Sequence, residues 1–512
     1  MNRRIRRLAT GMAVVAACTG LACAALARPG GGQSYGGGGR GGGGGGDGDS
    51  GELLFFVIRI LFELCVDVPQ IGIPLILVVV VGAIVYSGRA RSRATGNYDW
   101  NGPSPRPAWQ PSPAPGSNLG RQRSGYRALL AIDPDFSGVL FEDFVYALFA
   151  AAHRARHDTA RLAELAPFLD QQVRDELARR APAGTPVLGV VVGAMRLTSL
   201  GVDANQVLAS FDIEANLLLG ASPAARQPIS SGTLYVRESW QLHRAAGVRS
   251  RPRGDVRAFA CPNCGAPFES TDSQRCRYCQ QIVSNGRFDW SVSVAALHEA
   301  SDRPAALTGT VPERGTELPT IFDPEFGVAW SSFSRLDPAV TPQAMGARLA
   351  LMHGEITSAW NTQDLLPARG FVSDGLYDYL GYWISAYRQS ALRNVVEGAS
   401  IVRWEPVKLV RDRFYDALTL RVFATGRDFT LDARGSVVGG DRGRNRDYSE
   451  YWTLIRGASV RGAPRADKAC PNCGAALHVA MSGQCEYCKA RVTSGNFDWV
   501  LSKIEQDDSY EG

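Results

Sequence analysis

Along the first ninety residues the apolar positions fall in blocks, and beyond residue 130 they fall in periods. The run "ELLFFVIRILFELCVDVP" is apolar at most positions, with Arg59, Glu63 and Asp67 spaced four apart on one stripe. That spacing predicts an amphipathic helix lying in an interface over 52–67. The run "IGIPLILVVVVGAIVYSG" carries no charge, and 68–87 is expected to cross a bilayer, close to the ~20 residues a spanning helix needs. Further on, "LFEDFVYALFAAAHRAR" places Leu140, Phe141, Phe144, Val145, Leu148 and Phe149 at helical spacing. "TARLAELAPFLDQQVRDELARR" reads as a second helix, and "PVLGVVVGAMRLTSLGVD", "QVLASFDIEANLLLG" and "GTLYVRESWQLHR" read as strands.

The same order then returns. Helical "TPQAMGARLALMHGEITSAWNTQDL" and "DGLYDYLGYWISAYRQSALRN" precede the strands "SIVRWEPVKLV", "YDALTLRVFAT" and "YSEYWTLIRG". "IDPDF" at Ile132–Phe136 is matched with "FDPEF" at Phe322–Phe326, and Glu238-x-Trp240-x-Leu242-x-Arg244 with Glu450-x-Trp452-x-Leu454-x-Arg456. An internal duplication accounts for shared spacing at several points. Helices first and antiparallel strands after predict an α+β class, two units of helices packed on one curved sheet. The expected units are 129–250 and 321–460.

Composition changes little in this picture. The 512 residues exceed one ordinary core, the net charge of +5 is mild, and most of the glycine excess sits in one tract, 28–51, expected to be a disordered spacer. "MNRRIRR" and the apolar stretch ending at Ala25-Leu26-Ala27 read as a signal peptide over 1–27 or an uncleaved anchor, with a lipoprotein signal at Cys18 as a further alternative. Arg89, Arg91 and Arg93 follow the expected span, which places the rest of the chain on the cytoplasmic side of an inner membrane. A Pro/Arg-rich linker is expected over 88–128.

Candidate chemistry is concentrated in eight of the eleven cysteines. Cys261, Cys264, Cys276 and Cys279, and again Cys470, Cys473, Cys485 and Cys488, follow Cys-x2-Cys-x11-Cys-x2-Cys. Two Cys-x2-Cys turns bring four thiolates into one tetrahedron, the pattern of a zinc ribbon, and four sulfurs leave no open position for catalysis. Two structural zinc ions are therefore expected, in ribbons over 258–294 and 467–503, each following its unit and local to it. Iron would take the same ligands; disulfides do not suit a reducing compartment. Phe288-Asp289-Trp290 and Phe497-Asp498-Trp499 follow their quartets at equal distance. His478 has Phe268 as its counterpart and is expected at the surface.

The second unit resembles the C-terminal domain of Tim44-like proteins, an NTF2-like cone. The resemblance rests on Trp360, "LPARGFVSDGLYDYL", the turn expected at Arg393–Val395, "FYDALTLRV" and "EYWTLIR". "FEDFVYALFAAAHRAR" resembles the companion unit of bacterial Tim44-like proteins with zinc ribbons. The resemblance implies a membrane-anchored, non-enzymatic binding or scaffold protein with a protein partner, in a setting of protein translocation or membrane-protein assembly. The alternatives are a zinc-ribbon protein that binds nucleic acid and an NTF2-like domain that binds a small molecule or lipid or acts as an enzyme. Basic residues inside the first quartet are only Arg275 and Arg277, and the second has none, so nucleic acid is not expected. For an enzyme, Tyr415, Asp416, Glu238 and Glu450 are the strand candidates, each read as facing solvent, while His153, His157 and His243 form no triad with a nucleophile.

Overall fold

A computed structural model describes residues 119–180, 184–220, 232–251, 259–269, 275–284, 286–302, 307, 316–507, 510 and 512. The first half begins with helices α1 (Leu119–Ile132), α2 (Gly138–Ala155), α3 (Thr159–Glu164) and α4 (Gln171–Arg179). Strands β1 (Val187–Val202), β2 (Gln206–Leu219), β3 (Thr233–Ala245) and β4 (Ser291–Asp302) follow. In the second half come α5 (Phe326–Leu336), α6 (Pro342–Thr362), a short 3-10 turn at Leu366–Phe371 and α7 (Asp374–Gln389). Its strands are β5 (Arg393–Arg411), β6 (Tyr415–Leu431), β7 (Val437–Gly440), β8 (Arg446–Gly457) and β9 (Val500–Gln506).

Local signals explain the long helices. Ser137 caps α2 by accepting from the Leu140 N–H, and the six apolar residues named for this helix are all buried. Thr341 caps α6 from the Ala344 N–H, with Pro342 in its first turn, where the missing donor costs nothing. The single helix expected over 159–180 is instead two, because Ala166-Pro167 cannot continue the first. The linker expected to reach 128 yields to α1, and the turn expected at Arg393–Val395 is the opening of β5.

Both sheets are antiparallel, in the orders β1-β2-β3-β4 and β5-β6-β8-β9, with β7 paired to β6. Three register shifts in β1–β2 and three in β5–β6 bend the long outer strands around the helices. Trp240 stands between Phe211 and Ala295, and Trp452 between Leu420 and Ile504, so the two tryptophans hold equivalent places, both buried against helices. The halves are not separate beads. Tyr415, Ile455 and Val500 of the second half belong to the core of the first, and Val191 to the core of the second. Asn216 also donates to Tyr382 Oη at 3.1 Å across the join.

The last strand of each sheet lies beyond the cysteine quartet, so each quartet is inserted between the third and fourth strands of the main sheet path and does not follow a finished unit. Among the described residues, no helix is long and apolar enough to cross a membrane. The longest, α6 and α2, bury one face and keep Gln343, Glu355 and Ser358, or Glu142, Asp143 and Arg154, off it. The architecture is therefore α+β with two sheets and two four-cysteine clusters. A membrane-anchored chain with a single span, the bilayer as partner and an inner-membrane location is not what the described fold contains. The segments on which that expectation rested, 1–27, 28–51, 52–67, 68–87 and most of 88–128, lie outside the described residues.

Candidate metal centres

Each quartet is built from two knuckles of the same backbone design. The Cys261 N–H donates to Ala266 O, and the Gly265 N–H returns to Cys261 O, both at 2.8 Å. Cys276 repeats this with Gln281 and Gln280, Cys470 with Ala475 and Gly474, and Cys485 with Ala490 and Lys489. The residue four beyond each of these cysteines is left-handed: Gly265 (φ 74°), Gln280 (φ 61°), Gly474 (φ 75°) and Lys489 (φ 61°). The glycines signal this in the sequence; Gln280 and Lys489 give no such signal and are held there by the knuckle.

The thiols meet as the spacing requires. In each cluster the four Sγ atoms lie within 4.8 Å of one another, and the cysteines are free. Cys261 and Cys279 are 3.8 Å apart, Cys264 and Cys276 3.9 Å, and Cys470 and Cys488 3.8 Å. A tetrahedron with metal–sulfur bonds of about 2.3 Å has sulfur–sulfur edges of about 3.8 Å, so the residues fit an ion. These separations are far beyond the ~2.05 Å of a disulfide bond. The Asn263 side chain beside Cys279 holds that thiol down at about 6, and Asn472 does the same for Cys488. Burial pushes Cys261 up to about 12 and Cys470 to about 11. A dication would draw the remaining protons off, since only thiolates ligate. His478 is exposed, its ring against Tyr487, and stands outside the cluster.

Both ribbons seat on a break between helices. The first packs Phe268 and Val283 with Ala166, at the α3–α4 break. In the second, Arg369 reaches in from the 3-10 turn, its Nε donating to Met481 O at 3.0 Å, while Leu477 lies against Gly370. Gly483 (φ 79°) sits under this contact, and a Cβ there would meet Thr493 Oγ1 at 2.2 Å and Arg369 Nη2 at 3.0 Å. Gly483→Ala is expected to lower stability by more than the ~1–2 kcal/mol of the backbone strain alone, measured by denaturant unfolding. Gly443→Ala, in an open exposed turn, serves as the control.

The Phe-Asp-Trp motifs complete the junction. Asp289 and Asp498 each accept the N–H of the next tryptophan through Oδ1, at 2.8 and 2.7 Å. Over Trp290 lies the Arg244 guanidinium, 4.9 Å from the ring centre, and over Trp499 that of Arg456, at 4.6 Å. The same arginines bind Asp133 at 2.8 Å and Asp337 at 2.9 Å. Asp337 is thus the structural counterpart of Asp133, and Thr341 that of the capping Ser137. The expected pairing of "IDPDF" with "FDPEF" gives way to Leu336-Asp337-Pro338.

The strand residues considered for catalysis do not face solvent as expected: Tyr415, Asp416, Glu238 and Glu450 are all buried. Glu238 accepts from Trp240 Nε1 at 2.8 Å and is met by Arg180 Nη1 at 2.6 Å and His153 Nε2 at 3.2 Å. Glu450 repeats the tryptophan bond, from Trp452 Nε1 at 3.0 Å. Asp416 lies between Arg411 (3.4 Å) and Arg456 (3.8 Å). His243 stands 3.7 Å from Asp170, and His157 joins none of these groups. In the second half, His353, Tyr448, Glu450 and Trp452 line a cavity of about 10 Å³, room for about one water.

No protein family and no curated protein matches this chain. Among solved structures, one similar chain is an Ntf2-like protein involved in plasmid conjugation, 9% identical, with 72% of this chain and 93% of that chain covered. Its TM-score is 0.16, too low to establish a shared fold.

Proposed function

We propose that the protein is a non-enzymatic binding protein, built of two NTF2-like, Tim44-like halves, each closed by a structural zinc ion. The observation that carries this reading is the placement of a four-sulfur tetrahedron between the last two strands of each sheet. A closed four-cysteine set offers no ligand position to a substrate, and its contribution is folding free energy. Zinc suits the donor set because four thiolates in a tetrahedral frame favour it, with iron as the competing ion. The interiors support a binding role. Glu238, Arg180, His153 and Trp240 pack together and pair by charge inside the first half, and the second holds a water-sized cavity, so a protein partner would meet the outer surface. The NTF2-like reading draws on helices that precede and fill a curled antiparallel sheet, repeated in both halves.

Elemental analysis of the purified chain is expected to give two zinc ions per molecule. Iron in their place, or less than one metal per chain with all eight ligand thiols reacting freely, would end the reading.

A further inference from the structure

In the second half, the end of α7, the start of β5 and the turn after β6 border an open cleft of about 490 Å³. Arg388, Arg393 and Arg434 line it with Gln363, and Leu392 and Leu431 give it apolar surface. All three arginines are exposed, and among the described residues none of their guanidiniums is paired with a carboxylate. Arg388 donates to the Gln363 carbonyl oxygen, which fixes it at the rim. The cleft has one acid, Asp432, and its Oδ1 is taken up by the N–H groups of Arg434 and Ser436, both at 2.8 Å. Three positive charges thus face one carboxylate already engaged in a turn.

The backbone is shaped at the same place. Gln363 (φ 58°) and Ala391 (φ 53°) are left-handed without being glycine, and both line the cleft. The other two such residues among those described, Gln280 and Lys489, serve the metal knuckles. Gln363 closes α6 and Ala391 stands just past the end of α7, and a left-handed residue at such a place is the common way a helix ends, here turning the chain along the rim of the cleft. Gln363 is held by its own side chain, which donates to Leu392 O at 2.9 Å and ties the end of α6 to the start of β5.

We infer that this cleft binds a phosphate monoester of small-molecule size. Guanidiniums present forks that match phosphate oxygens, and three of them suit a dianion better than a single carboxylate. The volume falls within the roughly 300–1,000 Å³ of small-molecule sites, and Leu392 and Leu431 offer a surface for the organic group.

Calorimetric titration of the full chain with phenyl phosphate, at constant ionic strength, tests it. Submillimolar binding is expected, weakened at least about tenfold in Arg393→Ala/Arg434→Ala, with the melting temperature unchanged because both side chains are exposed. Arg434→Glu alone is expected to weaken it as well, which guards against a misfolded double variant. Inorganic phosphate binding as tightly as the ester would overturn the monoester. So would the absence of binding, or affinity unchanged in both variants. A single-stranded RNA that displaces phenyl phosphate, with a steep loss on adding salt, would replace the small-molecule site with a nucleic-acid surface.

Discussion

Denying the second four-cysteine cluster the ion proposed for it is expected to open the second sheet, and with it the first half. The chain leaves β8 at Gly457, builds the ribbon, and only then supplies β9 from Val500. Without the ion, nothing fixes where Trp499, Val500 and Leu501 re-enter, and all three are fully buried or nearly so. Zinc in such sites contributes about 10–16 kcal/mol at neutral pH, as large as the ~5–15 kcal/mol of net stability of an ordinary domain. Cys470→Ser leaves three thiolates and is expected to lower the unfolding free energy by several kcal/mol. Because Tyr415, Ile455 and Val500 sit in the first core, the loss is not confined to one repeat, contrary to a ribbon local to its own unit. Hydrogen exchange over 446–457 and 500–506, with and without chelator, reads this directly. Unchanged protection there, together with an unchanged melting point once the thiols are free, would show that the ribbons are appendages.

Glu238→Ala is expected to cost about 3–5 kcal/mol, the usual penalty when one partner of a buried ion pair is removed. Arg180 would keep a buried guanidinium with its close carboxylate gone and only the half-exposed Glu176 at 3.8 Å, beside Arg156, which burial already pulls down to about 10. The wild-type protein should also lose stability in acid by two routes of the same sign. Burial keeps His153 neutral, its pKa below the ordinary 6.5, so the unfolded chain takes up the proton first and stability falls as pH drops through that value. Burial alone would raise the Glu238 carboxyl, but His153, Arg180 and Trp240 outweigh it and hold it at about 2. Its contribution is complete above 4.5 and is lost as pH falls from there towards 2. Denaturant midpoints measured from neutral pH downward are expected to show both limbs, and the alanine variant to lack the second. A variant within about 1 kcal/mol of wild type at neutral pH would mean that the cluster relaxes without Glu238.

How much of this was legible depended on whether a signal was local. The cysteine spacing stated its geometry outright, and the stripe of α2 and the helices α6 and α7 followed from periodicity. The strands β1, β2, β3, β5, β6 and β8 were readable for the same reason. β4 and β9 are not, because "SVSVAALHEASD" and "VLSKIEQ" follow Phe-Asp-Trp, and the expected ribbons, ending at 294 and 503, take in only the first four residues of each. No local pattern says that a chain returns to a sheet it left a whole ribbon earlier. Alternation also misled over Glu238, Glu450 and Asp416. Period two separates two faces of a strand, but it does not say that one faces water, and here the polar positions are covered as well. The arginine cleft was invisible for another reason: Arg388 and Arg393 are near neighbours in the chain, but Arg434 joins them only through the β5–β6 pairing that sets Leu431 beside Arg393.

The inserted ribbons also bear on how quickly the protein reaches its final form. Pairing β8 with β9 across an open segment would require one long loop to close before any contact rewarded it. With a metal bound, that search is divided: each Cys-x2-Cys knuckle forms locally, the ion joins the two, and the strand ends are delivered side by side. Refolding followed at increasing zinc concentration is then expected to speed up, and a rate independent of the ion would mean that each sheet closes without it.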